Sequence, residues 1–229
     1  MDEHTLNETL KVFWDTQFQA LKEPMEIKKV DFVPTNALDD ALVYLGDHTS
    51  NILDIGAGSG YAILTAIIHG KKVKHGVALE PSHAASNFLK MSLKKSDIHT
   101  INVIQEDHTY VKTDKHHHHY DGIICSNVLD VVPKQTSLDI IKAIDYSLKP
   151  GGLLLIKLNF YLTDTLIDKL KMTCLGDNMY AINNVLRGLN YDTATWITMF
   201  KGYKVIKQDA YERLKNGPKD RLILMRKPF

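Results

Sequence analysis

Short, mostly apolar runs alternate with helix-like stretches through the middle of the chain, between about residues 50 and 160. Runs of this length and composition are typical of strands that are covered on both faces of a sheet. We predict strands at residues 52–55, 73–79, 101–104, 122–125 and 153–156.

The segments between these strands place apolar residues at helical spacing. In one of them, Ser82 is suited to cap a helix that carries Phe88 and Leu89. Another helix ends before Pro150 and Gly151, a pair that suits the two central positions of a type II turn. Repeated strand–helix–strand units predict an α/β protein with a doubly wound, mostly parallel sheet.

The two ends of the chain have different patterns. Residues 6–21 carry one apolar stripe along a helix. Residues 161–200 have the periodicity of two or three further helices, the second of which carries Met179, Ile182, Leu186 and Leu189. Two β-type runs, at 203–207 and 221–225, predict an antiparallel hairpin that brings the sheet to seven strands. The predicted organisation is a single domain with a helical N-terminal cap (1–45), a core (50–160), a helical insertion after the fifth strand (161–200) and an edge hairpin (201–229).

The charge of the chain is nearly balanced. Its 28 Lys and Arg residues stand against 27 Asp and Glu residues, which gives a formal net charge of +1. Proteins that bind nucleic acid usually rely on a strongly basic face, so this balance argues against a nucleic-acid partner. The 44% hydrophobic and 24% charged fractions are those of an ordinary globular protein of 229 residues.

Neither a signal peptide nor a membrane span is evident in the sequence. Residues 1–4 are polar, and no apolar run approaches the ~18 residues that span a bilayer. Cys125 and Cys174 lack the spacing of a zinc site and cannot form a disulfide framework. We therefore expect a cytoplasmic protein with no membrane partner. Monomer and homodimer are both compatible with the sequence.

The most informative segment is a glycine-rich turn after the first strand. Asp54 lies in the strand, and Gly56, Gly58 and Gly60 follow at G-x-G-x-G spacing before Tyr61 opens a helix. Such a turn lets backbone amides approach a polar ligand closely. The dinucleotide fingerprint G-x-G-x-x-G needs a glycine where Tyr61 stands, which disfavours a nicotinamide-dependent oxidoreductase. A purely structural turn is the alternative.

Polar side chains also follow the next three strands. Glu80 ends the second strand, where a carboxylate can accept both hydroxyls of a ribose, and a solvent-facing glutamate is the alternative. Asp107 follows the third strand, and Ser126 and Asn127 follow the fourth. Because open α/β sheets bind ligands outside the carboxyl ends of their strands, we expect these groups on one rim.

With these motifs in this order, the chain resembles the class I S-adenosylmethionine-dependent methyltransferases. The resemblance implies a Rossmann-like fold, S-adenosylmethionine as the cofactor and methyl transfer as the activity. It rests on five segments: residues 53–60 (LDIGAGSG), 79–82 (LEPS), 106–108 (EDH), 120–129 (YDGIICSNVL) and 148–153 (LKPGGL).

The resemblance also implies a role for each matching residue. Residues 56–60 would pass beneath the methionine part of the cofactor, and Asp54 would orient that loop or receive the amino group. Glu80 would hold the ribose hydroxyls. Asp107 would hold the adenine amino group, and the backbone of His108 a ring nitrogen.

The end of the fourth strand would lie beside the sulfonium. The expected cofactor contacts are Asp54, Gly56, Ala57, Gly58, Ser59, Gly60, Tyr61, Glu80, Pro81, Ser82, Asp107, His108, Ser126 and Asn127.

Methyl transfer from a sulfonium is an in-line displacement, so alignment and exclusion of water supply much of the rate. An acceptor hydroxyl or protonated amine would also need a base. Near the predicted rim, His108, Asp130 and Tyr161 are the candidates for that base. The candidate substrate contacts are Trp14, Asn159 and Arg187. A guanidinium in the insertion would clamp an acidic substrate, and a solvated helix face is the alternative.

Two missing motifs narrow the acceptor. Enzymes that methylate exocyclic amino groups of bases carry a Pro-Pro pair after the fourth strand, where this chain has SNVL at residues 126–129. Cytosine-5 enzymes commonly carry a Pro-Cys pair, but Cys125 follows Ile124 and Cys174 follows Thr173. A small-molecule acceptor is therefore predicted. The alternatives are a protein or RNA acceptor, or a sensor or assembly protein that binds the cofactor without catalysis.

Four consecutive histidines occupy residues 116–119, in the polar link between the third and fourth strands. Adjacent histidines on a loop cannot all reach one ion, and no cysteine or carboxylate cluster completes a shell. We predict a solvent-exposed loop and no metal site.

Overall fold

The computed structural model describes residues 2–21, 23–213 and 215–229, with every side chain in these ranges except that of Asp31. Met1, Lys22 and Leu214 fall within the predicted cap and hairpin and lie outside the described residues. The α-helices are α1 (Glu3–Gln19), α2 (Ala37–His48), α3 (Tyr61–His69), α4 (His83–Lys95), α5 (Lys134–Ser147), α6 (Asp164–Lys169) and α7 (Thr193–Thr198). The strands are β1 (Asn51–Ile55), β2 (His75–Leu79), β3 (Ile101–Ile104), β4 (Tyr120–Ser126), β5 (Leu148–Leu158), β6 (Thr173–Gly176), β7 (Met179–Ile182), β8 (Val185–Leu189), β9 (Lys204–Glu212) and β10 (Lys219–Arg226).

The main sheet has seven strands in the order β3-β2-β1-β4-β5-β10-β9. Strands β1 to β5 pair in parallel, while β10 pairs antiparallel with both β5 and β9. The predicted doubly wound sheet with an antiparallel C-terminal hairpin is confirmed. The strand order reverses between β1 and β4, so their carboxyl ends flank the switch point at which such sheets bind ligands.

Apolar layers cover both faces of this sheet. Successive residues of a strand point to opposite faces, so Leu53 of β1 packs in the layer that contains α5 and α7, and Ile52 packs in the layer of α2, α3 and α4. Trp196 of α7 and Leu64 of α3 are fully buried in these layers. Burial of such a side chain stabilises the fold by about 1.5–3 kcal/mol. The carboxyl ends of the strands therefore form a rigid platform.

The N-terminal helix α1 is capped by Asp2, whose side chain accepts a hydrogen bond from the Thr5 N–H at 2.8 Å. Leu6 and Leu10 are buried against Leu186 of β8, so the first half of the predicted stripe packs on the insertion. The stripe does not continue to Leu21 as predicted, because α1 ends at Gln19 and Leu21 is exposed.

The insertion after β5 differs from the prediction. The short helices α6 and α7 are present, but the second predicted helix is wrong, because β6, β7 and β8 form a small antiparallel sheet there. Two tight turns explain the difference. Both residues of the pairs Asp177-Asn178 and Asn183-Asn184 have positive φ, the conformation of two-residue hairpin turns, which Asp and Asn tolerate.

In the parts of the chain that the structure describes, no helix combines the length and the apolar character needed to cross a membrane.

Candidate active site

Three cavities meet at the carboxyl edge of the main sheet. The glycine-loop cavity, of ~520 Å³, is lined by residues 56–59 and the ends of β1, β2 and β4. The Asp107 cavity, of ~490 Å³, shares Glu80 with it and extends past the end of β3. The arginine cavity, of ~290 Å³, lies between the ends of β4 and β5 and the small sheet, and is lined by Arg187, Arg213 and Arg221.

The glycine loop has the shape that its sequence predicts. Gly56, Gly58 and Gly60 all have positive φ, at +72°, +54° and +83°. A Cβ atom on Gly60 would lie 2.5 Å from Leu89 Cδ1, and one on Gly56 would lie 2.5 Å from Val128 Cγ2. A larger residue would therefore combine backbone strain with a clash, and the turn depends on glycine at these positions.

Glu80 joins the glycine loop to the start of α4. Its Oε2 accepts the Gly58 N–H and its Oε1 accepts the Ser82 N–H, both at 2.8 Å. Burial raises the pKa of this carboxyl, and the two backbone N–H groups oppose that shift. Each oxygen keeps acceptor capacity toward the cavity. Contact with ribose hydroxyls stays a prediction.

Asp54, at the end of β1, is the most unusual group in the glycine-loop cavity. The side chain is 1% exposed, and within the described residues neither of its oxygens has a hydrogen-bond partner. Burial raises its pKa to about 7; the nearby Ile63 backbone N–H opposes this shift, and the Glu80 charge adds to it. Because buried polar atoms are normally paired, this carboxyl is suited to receive a cationic or hydrogen-bonding ligand group.

The Asp107 cavity places three of the predicted contacts together. Asp107 Oδ1 accepts hydrogen bonds from the Thr109 N–H at 2.8 Å and from its hydroxyl at 2.6 Å, which fixes the carboxylate at the rim. His108 lines the same cavity, and burial lowers its pKa. Ser82 also lines it, but its hydroxyl donates to Asp15 of α1 at 2.5 Å and accepts the Ala85 N–H at 3.1 Å as the predicted helix cap.

The C-terminal half of α1 covers these cavities. Phe18 approaches the loop, since a Cβ on Gly58 would lie 3.5 Å from Phe18 Cζ. Trp14, 37% exposed, lines all three cavities. Asp15 also accepts the Ala84 N–H at 3.1 Å, so α1 is tied to the first turn of α4. The helix thus packs on the fold through one half and walls the site with the other.

A chain of polar side chains, buried at Lys157 and Asp220 and exposed at Arg213, separates the glycine-loop cavity from the arginine cavity. Lys157 of β5 lies 2.8 Å from the Asp220 carboxylate and donates to Asn127 Oδ1 at 2.5 Å. Asp220 also accepts two hydrogen bonds from Arg213, from Nε at 2.9 Å and from Nη2 at 3.0 Å, one on each carboxylate oxygen. Arg213 Nη2 continues the chain to Asn159 Oδ1 at 2.8 Å. Burial lowers the Lys157 pKa, and Asp220 opposes that shift.

Asp130 lines the arginine cavity, and one of its two carboxyl oxygens is hydrogen-bonded while the other is not. Its Oδ2 accepts the Asn159 backbone N–H at 2.7 Å and side-chain Nδ2 at 3.1 Å. In the described part of the chain, its buried Oδ1 has no partner. Burial raises the pKa of this carboxyl, while the two Asn159 bonds and the Arg221 charge oppose that shift. The Asn159 bonds therefore fix the carboxyl group and leave its second oxygen without a partner among the described residues.

The structure brings most of the predicted site residues to this edge. Those lining the glycine-loop cavity are Asp54, Gly56, Ala57, Gly58, Ser59, Tyr61, Glu80, Pro81, Ser126 and Asn127. Those lining the arginine cavity include Trp14, Asn127, Asp130, Asn159 and Arg187.

Two predicted site residues are not brought into the cavities. Gly60 lines none of the three, because it turns the chain beneath Leu89. Tyr161, a candidate base, is 46% exposed and also lines none of them. Its position does not support a role in proton transfer.

Sequence reasoning missed four charged residues of the site: Lys157, Arg213, Asp220 and Arg221. Lys157 carried a usable signal, since it interrupts an otherwise apolar strand and a buried charge must be paired. Its partner Asp220 is distant in the sequence, and only the β5–β10 pairing brings the two together.

The histidine run lies away from this edge, before β4. His116 is buried between Tyr110 and Tyr120, with ring centroids at 4.6 and 5.9 Å, so the prediction of a fully exposed loop is wrong at this residue. Among the residues that the structure describes, no cluster of His, Cys, Asp and Glu side chains could hold a metal ion.

Comparison with known proteins gives one family and many related folds. A family model for a methyltransferase domain matches residues 22–197. No curated protein matches the chain.

Solved structures share the fold at low identity. The 1,6-didemethyltoxoflavin-N1-methyltransferase of Burkholderia thailandensis, with bound 1,6-didemethyltoxoflavin and S-adenosylhomocysteine, is similar with a TM-score of 0.71 and 13% identity, over 100% of this chain and 92% of that chain. The N-methyltransferase NodS of Bradyrhizobium japonicum WM9, in complex with S-adenosylhomocysteine, gives 0.62 and 15%, over 94% and 99%. The [4+2]-cyclase SpnF gives 0.62 and 14%, over 83% and 80%. At these identities the likeness shows the fold alone.

Proposed function

Because the chain belongs to the methyltransferase domain family, as the match over residues 22–197 shows, we propose that it transfers a methyl group from S-adenosylmethionine to a small-molecule acceptor. The observation that carries this proposal is the pair of adjoining cavities at one sheet edge, with Asn127 in the wall of both. One cavity has the groups that suit the cofactor. The other has its own polar groups, which suit a second molecule.

The residues of the glycine-loop cavity fit the cofactor. An ammonium group would satisfy the Asp54 carboxyl, which has no partner among the described residues. Glu80 is oriented by two backbone N–H groups and can accept ribose hydroxyls. The Asp107 carboxylate is fixed by Thr109 at the far end, where an adenine amino group would lie.

When bound, the cofactor supplies a methyl group on a sulfonium, which passes to the acceptor's nucleophile as the carbon–sulfur bond breaks and S-adenosylhomocysteine is left. The protein's own contribution begins with alignment and exclusion of water. Trp14 and Phe18 cover the cavity from the α1 side, and Val128 covers it from the β4 side.

Asp130 is the group we assign to the acceptor's proton. A nitrogen or oxygen nucleophile must lose a proton. Asp130 lines the arginine cavity, and its buried Oδ1 has no partner among the described residues. Asn159 holds the other oxygen and so fixes the orientation of the carboxyl. His108 lines the Asp107 cavity, at the adenine end of the proposed site.

Several observations support a small acceptor. The arginine cavity holds ~290 Å³, the scale of a small organic molecule. The formal charge of +1 does not suit nucleic acid. The structurally similar Burkholderia enzyme has 1,6-didemethyltoxoflavin bound.

Calorimetry and a transfer screen test the proposal. We expect S-adenosylmethionine and S-adenosylhomocysteine to bind, and labelled methyl to appear on members of a small-molecule acceptor panel. Failure of both ligands to bind at millimolar concentration would contradict the cofactor assignment. Binding without transfer to any small molecule, protein or RNA in the panel would favour a sensor.

A further inference from the structure

We infer that the methyl acceptor carries an anionic group, a carboxylate or a phosphate, and that Arg187 binds this group in the arginine cavity. This inference rests on the proposed function, because it concerns the molecule that receives the methyl group.

The placement of arginine in this chain is the first observation. Only four of the 28 basic residues are arginines, at positions 187, 213, 221 and 226. Three of these four line the arginine cavity, where Asp130 is the one acidic side chain among the described lining residues. A lysine ammonium is a point charge, whereas an arginine guanidinium is a planar fork of N–H donors that matches the oxygens of a carboxylate or phosphate. The cavity therefore has the chemistry of an anion site.

Two of the three arginines are already engaged by the protein. Arg213 forms a bidentate pair with Asp220. Arg221 donates from Nε to the Asn159 carbonyl at 2.8 Å and from Nη1 to the Tyr191 carbonyl at 2.7 Å. These contacts shape the cavity. Arg187, the third arginine, makes contacts of a different kind.

Arg187 is held by aromatic faces. Its Cζ lies 4.8 Å from the ring centroid of Phe13 and 5.9 Å from that of Trp14, both on α1. Within the described residues it donates no hydrogen bond and forms no ion pair. Cation–π contacts of this kind hold the guanidinium beside the rings without using its N–H donors, which stay available to a ligand.

The surrounding charge favours an anion at this position. Burial lowers the pKa of Arg187, and the neighbouring Arg213 cation lowers it further. Asp220 is one carboxylate shared by two cations, Lys157 and Arg213, so it does not neutralise the region. A bound carboxylate or phosphate would offset both the desolvation of Arg187 and its repulsion by Arg213.

The position of Arg187 indicates how the acceptor lies. Arg187 is on β8 of the small sheet and lines the same cavity as Asn127 and Asp130, which follow β4. The Leu189 N–H of β8 donates to the Asp130 carbonyl at 2.7 Å, so β8 is joined directly to the segment after β4. An acceptor held at its anionic end by Arg187 would present its other end to Asp130 and to the transferable methyl. The small sheet is then the element that selects the acceptor, and its contact with α1 through Leu186 fixes its position.

The methionine carboxylate of the cofactor is the other possible source of an anion. Arg187 does not line the glycine-loop cavity, which argues against that source. The experiment separates the two by comparing S-adenosylhomocysteine with methylthioadenosine, which lacks the amino acid part.

The test titrates the S-adenosylhomocysteine-loaded protein with benzoate, phenyl phosphate and neutral benzamide. Calorimetry measures the binding. Tryptophan fluorescence reports on it as well, because Trp14 is partly exposed beside Arg187, whereas the other tryptophan, Trp196, is buried. We expect at least one anion to bind at least tenfold more tightly than benzamide. Arg187→Met should weaken that anion at least tenfold, and Arg187→Lys should weaken it by less.

Arg226→Met is the matched control. Arg226 donates to the Gly151 carbonyl and lines none of the three cavities. Its replacement should therefore leave the affinities for the anion and for S-adenosylhomocysteine unchanged. Thermal unfolding confirms that each variant is folded, and Arg187→Lys tests the site if the methionine variant is unstable.

Three results with the anions would overturn the inference. These are equal binding of benzamide and the anions, no binding of either anion, and an unchanged anion affinity in folded Arg187→Met. Weaker S-adenosylhomocysteine with unchanged methylthioadenosine in that variant would also overturn it, because the anion would be the cofactor's own. If the wild-type protein does not bind S-adenosylhomocysteine at all, that result contradicts the proposed function itself.

Discussion

The Lys157 ammonium lies 2.8 Å from the Asp220 carboxylate, with side-chain exposures of only 3% and 1%. The pair joins β5 to β10 beneath the site. Lys157 also donates to Asn127, whose φ of +57° places it in the left-handed region at the end of β4. The wall between the two main cavities thus depends on a buried ion pair.

Asp220→Asn should destabilise the fold by about 3–5 kcal/mol, because it leaves the Lys157 charge buried without a counter-charge. Denaturant unfolding measures this. The double variant Lys157→Met with Asp220→Leu should recover most of the loss, since both charges of the pair are removed together.

The exposed pair formed by Lys207 and Asp209, at 3.1 Å, provides the control. Asp209→Asn should cost less than about 1 kcal/mol. Equal losses at Asp220 and Asp209 would show that the buried pair has no special contribution.

Cofactor affinity should depend on pH through Asp54. Burial raises the Asp54 pKa to about 7, and an ammonium group binds the ionised carboxylate. Protonation competes with that ligand as the pH falls, so S-adenosylhomocysteine should bind about tenfold more weakly near pH 6 than near pH 8. Calorimetry across this range gives the profile.

Two comparisons isolate the group. In the Asp54→Asn variant, the affinity for S-adenosylhomocysteine should no longer depend on pH. In the wild type, the affinity for methylthioadenosine should not depend on pH either, because this ligand has no ammonium group. Glu80→Gln should instead weaken both ligands by about 1–3 kcal/mol, because both contain the ribose. A pH dependence retained in Asp54→Asn would refute the Asp54 assignment.

Asp130→Asn should lower kcat/KM for an acceptor found in the screen by about 10²–10⁴-fold, because the proton acceptor is lost. S-adenosylhomocysteine affinity should be unchanged. Burial raises the Asp130 pKa, so the acidic limb of the wild-type pH–rate profile should lie above the pH of an ordinary aspartate and be absent in the variant. Tyr161→Phe serves as the control and should retain activity. A fully active Asp130→Asn would exclude proton transfer to this residue.

Gly60→Ala should destabilise the fold by about 1–3 kcal/mol through the clash with Leu89, and by about a further 1–2 kcal/mol through its φ of +83°. Gly176→Ala is matched to it, since Gly176 also has positive φ, at +91°, but a Cβ there would meet nothing within 4 Å. Chemical denaturation of the two variants separates the contributions. Equal losses would show that packing against Leu89 adds nothing.

The local parts of the site could be predicted from the sequence. The turn from Asp54 to Gly60 and the cap at Ser82 depend on residues adjacent in the chain, and both form as predicted. The second predicted helix of the insertion is wrong because the turn chemistry of Asp177-Asn178 and Asn183-Asn184 outweighs the helical spacing of the apolar residues.

The remaining features depend on contacts between distant segments. Periodicity along α1 could not show that Phe13 and Trp14 make cation–π contacts with Arg187, since α1 and β8 meet only in the folded protein. The same holds for Lys157 and Asp220. The roles of the individual cofactor contacts, the single-domain organisation, the cytoplasmic location and the oligomeric state stay predictions.

Trp14 forms part of the wall of all three cavities, and this has a thermodynamic consequence. A molecule that displaces the indole from one cavity changes the free energy of filling the others. By linkage, an acceptor that raises cofactor affinity through Trp14 must have its own affinity raised by the cofactor by the same factor. Donor and acceptor are then heterotropic effectors of one another, coupled through a single side chain.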